Sequence, residues 1–301
     1  MLKKLSAFLM VIFMSHASYT AAQTREIAIT IDDLPFVGSA NNNPNNLKRE
    51  EERFMSIMQS LIDAQVPATG FVIAGSIEKG QWQLLEAFYH AGFTIGNHTY
   101  SHMGLNSANL DKYIENVAHA DKILTPLLSS PKYFRFPYLA EGRGETKTKI
   151  HQYLTDNGYV VAPVTIDSKD FKFNEQLYHI AYRARPAALP AMKKRYLDYI
   201  WHETLRAENR SNGKDAKQIL LIHANLLNSH FLSDVIAMYK EHGYRFITLA
   251  EALSNPAPEA LIPETETQTQ TTPVSSTLEV NTQAPVALST PFLDNWPFES
   301  F

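Results

Sequence analysis

The sequence has 301 residues, no cysteine and a formal net charge of −4. Hydrophobic residues make up 45% and charged residues 19%, which fits a globular chain and excludes wholesale disorder or a fibrous repeat. The missing cysteines rule out disulfide frameworks, thiolate zinc sites and cysteine nucleophiles, and outside residues 1–22 and 255–301 the acidic and basic side chains balance, leaving no field of one sign to attract nucleic acid.

Residues 1–22 read as a secretory signal peptide. Lys3 and Lys4 form its charged region, and 5–14 is an apolar run of about ten residues, too short to cross a ~30 Å hydrocarbon core. Thr20, Ala21 and Ala22 offer small residues for cleavage, so the mature chain would begin near Gln23. The protein is then expected to be exported, to a periplasm or beyond, with no membrane span after signal removal. An uncleaved anchor is the alternative.

Residues 23–254 are expected to form the folded domain. The first strand, 26–31, runs into Thr30-Ile31-Asp32-Asp33-Leu34-Pro35. Two adjacent carboxylates after an apolar strand are costly if buried unpaired; alone they read as a cap or turn. A helix follows over 47–64, with Phe54, Met55, Met58, Leu61 and Ile62 on one side. Next come a strand at 68–73, a helix at 82–90 and a strand at 93–97. That strand leads into His98-Thr99-Tyr100-Ser101-His102. Two histidines four apart lie on one face of a helical turn, a common metal-ligand spacing. Position 99 is not Glu, so this is not the zinc-protease motif. A helix at 110–128 precedes a strand at 133–136, whose end carries Arg135-Phe136-Pro137-Tyr138; an arginine there is by default a salt-bridge partner. A helix at 146–157 and a strand at 159–164 lead to Asp167-Ser168-Lys169-Asp170-Phe171, which alone reads as a turn. Residues 174–210 are helical in composition but broken by Pro186 and Pro190, giving two or three pieces. The strand 219–223 ends in His223, on its own a satisfied core residue. A helix at 229–242 and a strand at 245–248 complete the domain.

This β–α rhythm predicts an α/β fold with a mostly parallel sheet. Seven strands over this length suit a barrel or near-barrel better than a small open sheet. Chemistry in such folds collects at the carboxyl ends of the strands, and five of the seven end in ionisable groups. One carboxylate and two imidazoles, with a water completing the shell, suit a catalytic divalent metal such as zinc. Such an ion lowers the pKa of bound water toward ~7 and polarises a carbonyl. The second carboxylate could serve as general base and a histidine elsewhere on the rim as proton donor. Arginine and aspartate partners would hold base and acid in place.

The order of these clusters resembles the polysaccharide deacetylases of carbohydrate esterase family four, the NodB-homology domains, over about 25–250. Thr30-Ile31-Asp32-Asp33-Leu34 stands where the family has T-F-D-D-G, His98-Thr99-x-x-His102 meets H-[ST]-x-x-H, and Arg135-x-Pro137-Tyr138 meets R-x-P-[YF]. Asp167-x-x-Asp170-Phe171 matches D-x-x-D-W with Phe for Trp, and Leu221-x-His223 matches the final L-x-H. The resemblance implies a distorted (β/α) barrel of about seven strands. It implies Asp33, His98 and His102 as ligands of one divalent ion, with zinc first and cobalt, nickel or manganese as alternatives. It implies Asp32 as base, oriented by Arg135, and His223 as acid, oriented by Asp170. The Tyr138 N–H would help hold an oxyanion, and Phe171 and Leu221 would line the acetyl pocket. The implied activity is removal of acetyl groups from N-acetylated amino sugars of a glycan: chitin oligomer, peptidoglycan or exopolysaccharide. An O-acetyl ester, as on xylan, would fit the same pocket.

Leu34 replaces a family Gly, and with Pro35 after it must be extended or in a turn. The intact ligand positions disfavour the metal-free imide-opening relatives. Two rivals stand: a non-haem iron oxygenase, since two His and one carboxylate also form its facial triad, and a catalytically idle glycan-binding envelope protein. Tyr100, Tyr138, Phe173 and Trp201 could stack on sugar rings. Residues 255–301 are rich in Pro, Thr, Gln and Ser and are expected to be a disordered tail. Its aromatic end could dock a partner or its own domain.

Overall fold

The computed structural model of the chain describes residues 25–211 and 216–256. The expected signal peptide and all but the first two residues of the expected tail lie outside these residues. The first half of the described chain alternates β1 (Arg25–Leu34), α1 (Pro44–Ala64), β2 (Ala68–Val72), α2 (Gln81–His90), β3 (Thr94–Asn97), α3 (Leu110–Leu124), β4 (Lys132–Phe134) and α4 (Gly144–Asp156). The second half runs β5 (Tyr159–Val161), β6 (Ile166–Asp167), α5 (Asp170–His179), α6 (Arg185–Arg210), β7 (Gln218–His223), α7 (Leu226–Glu241), β8 (Tyr244–Phe246) and α8 (Leu249–Leu253). Among these residues no helix is long and apolar enough to cross a membrane.

Every ladder is parallel. Seven strands follow one another in the order β5-β4-β3-β2-β1-β7-β6, and β8 pairs with β1 off that path. The sheet curls into a half-barrel with helices around it, as the β–α rhythm predicts. The one strand the sequence pattern missed is β6, only two residues long. Its pairing with β7 puts Asp167 beside Leu221.

The outer face of the sheet packs on α1, α2 and α7. Ile27, Ile29 and Ile31 of β1 meet Phe54, Ile57, Met58 and Leu61 of α1 and Phe231, Leu232 and Val235 of α7 in one buried cluster. Ile62, expected on the buried stripe of α1, is 41% exposed, and Ile57 takes its place. Asn43 caps α1 by accepting from the N–H groups of Asn45 and Asn46, and Pro44 opens the helix where no N–H is needed. The inner face is lined by a smaller cluster that includes Ala28, Phe71, Tyr133, Ala162, Ile219 and Ile247.

Pro186 and Pro190 do not divide the 174–210 region as expected. Pro186 sits in the first turn of α6, where it is tolerated, and Pro190 lies inside the helix without ending it. The break falls earlier, between α5 and α6, at a short turn over Tyr182–Ala184.

Close packing around the inner face sets one expected result. A methyl group at Gly96 would lie 2.6 Å from the Phe71 ring and 3.0 Å from the backbone oxygen of Tyr133. Phe71 is fully buried. Gly96→Ala is therefore expected to lower stability by ~2 kcal/mol, a fall in Tm of about 4–8 °C. Thermal unfolding followed by circular dichroism measures it; an unchanged Tm would mean that the inner face is loosely packed.

Candidate active site

The two carboxylates at the end of β1 reach the same site through a break in strand geometry. In a regular strand Asp32 and Asp33 would point to opposite faces. The β1–β2 register shifts between Ile31 and Leu34, and Asp33 stands at φ 63°, so its side chain turns back toward that of Asp32. Leu34, in place of the family Gly, stays extended at the strand end and is fully buried. Its side chain fills the space above Gly70, where a Cβ would lie 2.0 Å from Leu34 Cδ1.

His98 and His102 are brought together by a loop, not by the helical turn that their spacing suggests. No helix is present at 98–102, and Thr99 and His102 have φ of 69° and 54°. Two asparagines hold this loop. Asn97 Oδ1 accepts from the Thr99 N–H at 2.7 Å. Asn116 Oδ1 accepts from the N–H groups of Tyr100 and Ser101 at 2.9 and 3.0 Å, and its amide donates to Ser101 Oγ.

The resulting cluster is compact. Asp33 Oδ1 lies 3.4 Å from Nε2 of both His98 and His102. One ligand atom from each of the three residues falls within 4.8 Å of the others. The His98 Nδ1 lies 2.8 Å from the Arg135 carbonyl, which can only accept, so Nδ1 carries a proton and Nε2 is the nitrogen that a neutral ring would offer to a cation. Burial pulls the pKa of His102 down to about 4, against the pull of Asp33, so this ring is neutral at pH 7. Burial resists ionisation of Asp33, but His102 and the other neighbouring imidazoles outweigh it and hold the carboxyl well below the ordinary range. Asp33 Oδ1 is buried and has no hydrogen-bond partner. A carboxylate oxygen and imidazole lone pairs facing one another are mutually repulsive unless a cation lies between them, so these residues fit a divalent ion.

Beside this cluster, Asp32 is 3% exposed and its Oδ2 lies 3.8 Å from His98 Nε2. Arg135 is buried, with its guanidinium 4.7 Å from the Phe71 ring centroid. Its Nη1 stands 3.4 Å from both Asp32 oxygens, its Nε donates to the Ala162 carbonyl at 2.8 Å, and its Nη2 donates to Thr30 Oγ1 at 3.1 Å. The Thr30 hydroxyl in turn donates a hydrogen bond to the Leu220 carbonyl at 2.7 Å. Thr30, the first residue of the Thr30–Leu34 motif, thus supports Arg135, a role its place in the motif does not reveal.

Across the β1–β7 ladder, Asp32 is in register with His223. The His223 Nδ1 is 2.7 Å from Asp170 Oδ1. Burial alone would lower the His223 pKa, but Asp170 first, then Asp33 and Asp32, push it up to about 10. Phe171 presents an edge-on ring 6.2 Å from His223, and Leu221 is buried two residues before that histidine on β7. Tyr138 stands at φ 57° in a short turn over Pro137–Leu139, with its ring 4.5 Å from that of His102. Nine of the ten site residues expected from the sequence thus lie at the carboxyl-end rim of the sheet, and Leu221 lies two residues inside it. The other aromatics suggested for sugar stacking have neighbours on their faces: Tyr100 stacks on His119, Trp201 packs on His242, and Phe173 lies against Tyr196 and Tyr199.

The polysaccharide deacetylase family model matches residues 20–162. That span covers Asp32, Asp33, His98, His102 and Arg135 but stops short of Asp170 and His223. A peptidoglycan-N-acetylglucosamine deacetylase from Bacillus cereus is 28% identical over 148 residues, 49% of this chain and 46% of that protein. A chitin deacetylase from Arthroderma benhamiae is 26% identical over 182 residues, 58% of this chain and 40% of that protein. The chain thus spans less than half the length of these two relatives. Among solved structures, a family-four pseudoenzyme from Bacillus anthracis has the same fold, with a TM-score of 0.53 at 17% identity over 76% of this chain and 66% of that one.

Proposed function

The chain belongs to the polysaccharide deacetylase family, and from that premise we propose that it is a metal-dependent hydrolase that removes acetyl groups from N-acetylated amino sugars of a glycan. The observation that carries this reading is the unpartnered Asp33 Oδ1 facing His98 and His102, with a base candidate and an acid candidate in register beside it. Peptidoglycan and chitin are the first substrates to test, after the two relatives' names.

A divalent ion held by Asp33, His98 and His102 would supply Lewis acidity at the acetyl carbonyl. Asp32, oriented by Arg135, accepts a proton from the attacking water as the new C–O bond forms. The Tyr138 N–H helps stabilise the oxyanion. His223 is held at Nδ1 by Asp170, so Nε2 is the atom that gives its proton to the leaving nitrogen. The C–N bond breaks, and acetate and a free amine result.

Acetate release from chitin oligomers, peptidoglycan and acetylated xylan, with bound-metal analysis, tests the proposal. Release only from xylan would move the substrate to O-acetyl esters. A bound ion with no release from any glycan would favour the idle binding protein. The pH profile tests the acid. Because the His223 pKa is raised to about 10, the donor is protonated below that pH and is lost as pH rises through it. In Asp170→Asn the main opposing charge is gone and burial dominates, so the alkaline limb is expected to fall by at least ~2 pH units. A bound cation lowers the limb in both proteins, and the difference between them is the quantity read. Identical alkaline limbs would remove His223 from the acid role.

A further inference from the structure

Asp170 is fully buried, and its carboxylate accepts more than the histidine. Oδ1 takes the His223 ring at 2.7 Å. Oδ2 accepts from the His223 backbone N–H at 2.7 Å, from Asn225 Nδ2 at 2.9 Å and from Asn228 Nδ2 at 2.5 Å. Both asparagines come from the start of α7, directly after the strand that carries His223.

Their amide orientations are determined by their partners. Asn228 Nδ2 also reaches the His223 carbonyl at 2.9 Å, and its Oδ1 accepts from the buried Tyr196 hydroxyl at 2.9 Å. Asn225 Oδ1 accepts from the Asn228 N–H at 2.9 Å and so caps α7. In both residues the nitrogen must face Asp170, because the groups on that side can only accept. Three donors on Oδ2 fix the carboxylate plane and leave Oδ1 as the only oxygen directed at the imidazole.

We propose that Asn225 and Asn228 are positioning residues for the proton donor: their amides clamp Asp170 in one rotamer, and Asp170 in turn fixes His223. This role rests on the proposed hydrolase reading, which requires a directed Nε2. The charged and titratable groups around His223 are Asp170 from α5, Asp32 and Asp33 from β1, and His102 from the loop after β3; Tyr196 from α6 reaches it through Asn228. None of these side chains besides Asp170 has a hydrogen bond to the imidazole among the described residues.

Asn228→Asp tests the clamp. The substitution is nearly isosteric and keeps an oxygen for the Tyr196 hydroxyl, but it replaces the donor with a second carboxylate facing Asp170. Two carboxylates at that distance cannot both be ionised cheaply, so the new group is expected to titrate well above ~3.9. In the full chain loaded with zinc, the downfield proton resonance of His223 Nδ1–H is expected to be lost at pH 8. It should return as the pH falls toward about 5.5, when the new carboxyl gains a proton and donates as the amide did. Deacetylase kcat should fall by roughly 10–100-fold at pH 8 with KM little changed, and recover over the same acid range. A residue that merely supports the fold would not give acid rescue.

Asn225→Ser retains an oxygen to cap α7 and withdraws the amide donor from Asp170, because the shorter side chain uses its one oxygen at the cap. It should broaden the same resonance without lowering Tm, and it carries the test if Asn228→Asp fails to fold. A sharp, pH-independent Nδ1–H signal in either folded variant would overturn the proposal. If the resonance behaves as described but the unmodified protein releases no acetate from any glycan, the clamp stands and the hydrolase reading fails.

Discussion

Asp32→Asn is expected to leave a divalent ion bound while lowering acetate release by roughly 10²–10⁴-fold. The expectation follows from where the two oxygens stand. Asp32 is 3% exposed and held by the buried Arg135. It lies 3.8 Å from one candidate ligand and is not itself within the three-residue cluster. The amide keeps the shape of the carboxylate but cannot accept a proton at neutral pH. It also leaves the Arg135 guanidinium without its counter-charge, so some stability is lost; a buried ion pair with one partner removed costs about 3–5 kcal/mol. Metal content by elemental analysis and single-turnover acetate release separate the two effects. Unchanged turnover in a folded, metal-bound Asp32→Asn protein would reject the base assignment.

His98→Ala is expected to lose both the ion and the reaction. His98 is 2% exposed, and its Nδ1 proton is held by the Arg135 carbonyl. Its Nε2 is thus presented at a fixed angle to Asp33. Loss of an outer-sphere partner typically costs ~10–100-fold in metal affinity, and loss of a ligand should exceed that range. Titration calorimetry with zinc on the full chain reads the change directly. Because His98 also touches the peptide that carries Arg135, the Asp32 side of the site should loosen with it. His102→Ala lacks that second link, since His102 is 19% exposed at its side chain and packs on Tyr138. It should weaken binding with less effect on stability. Equal zinc affinity in His98→Ala and the unmodified protein would mean that the ion, if any, lies elsewhere.

Much of this site was readable from residue order. Apolar runs with polar ends mark parallel strands whose carboxyl termini share one rim, and Asp32, Asp33, His98, His102, Arg135, Asp170 and His223, read from those ends, stand there, whereas Tyr138, Phe171 and Leu221 enter only through the family resemblance. What could not be read was how neighbours in sequence become neighbours in space. Strict alternation would have separated Asp32 from Asp33; the bulge that unites them depends on a single left-handed residue that has no Gly to announce it. The His98–His102 spacing suggested a helical turn because that is the commonest way to bring i and i+4 together. Asn97 and Asn116 achieve the same closeness with an irregular loop, and their contacts lie 2–16 residues away. The β6 strand was too short to show a period. Asn225 and Asn228 were visible only as polar residues after a histidine, and their meaning depends on Asp170, 55 and 58 residues earlier.

The register of β1 on β7 bears on how such a site can diversify. Asp32 and His223 are cross-strand neighbours on two interior strands of the sheet, where adjacent strands are held about 4.8 Å apart by the backbone ladder. The separation between the proposed proton acceptor and the proposed proton donor is therefore set first by main-chain pairing. Insertions or exchanges in the connections that follow the strands can change what surrounds the rim without retuning that separation. On the proposed reading, grafting rim loops onto this sheet is a route to altered glycan selectivity, because Asp32 and His223 travel with the framework.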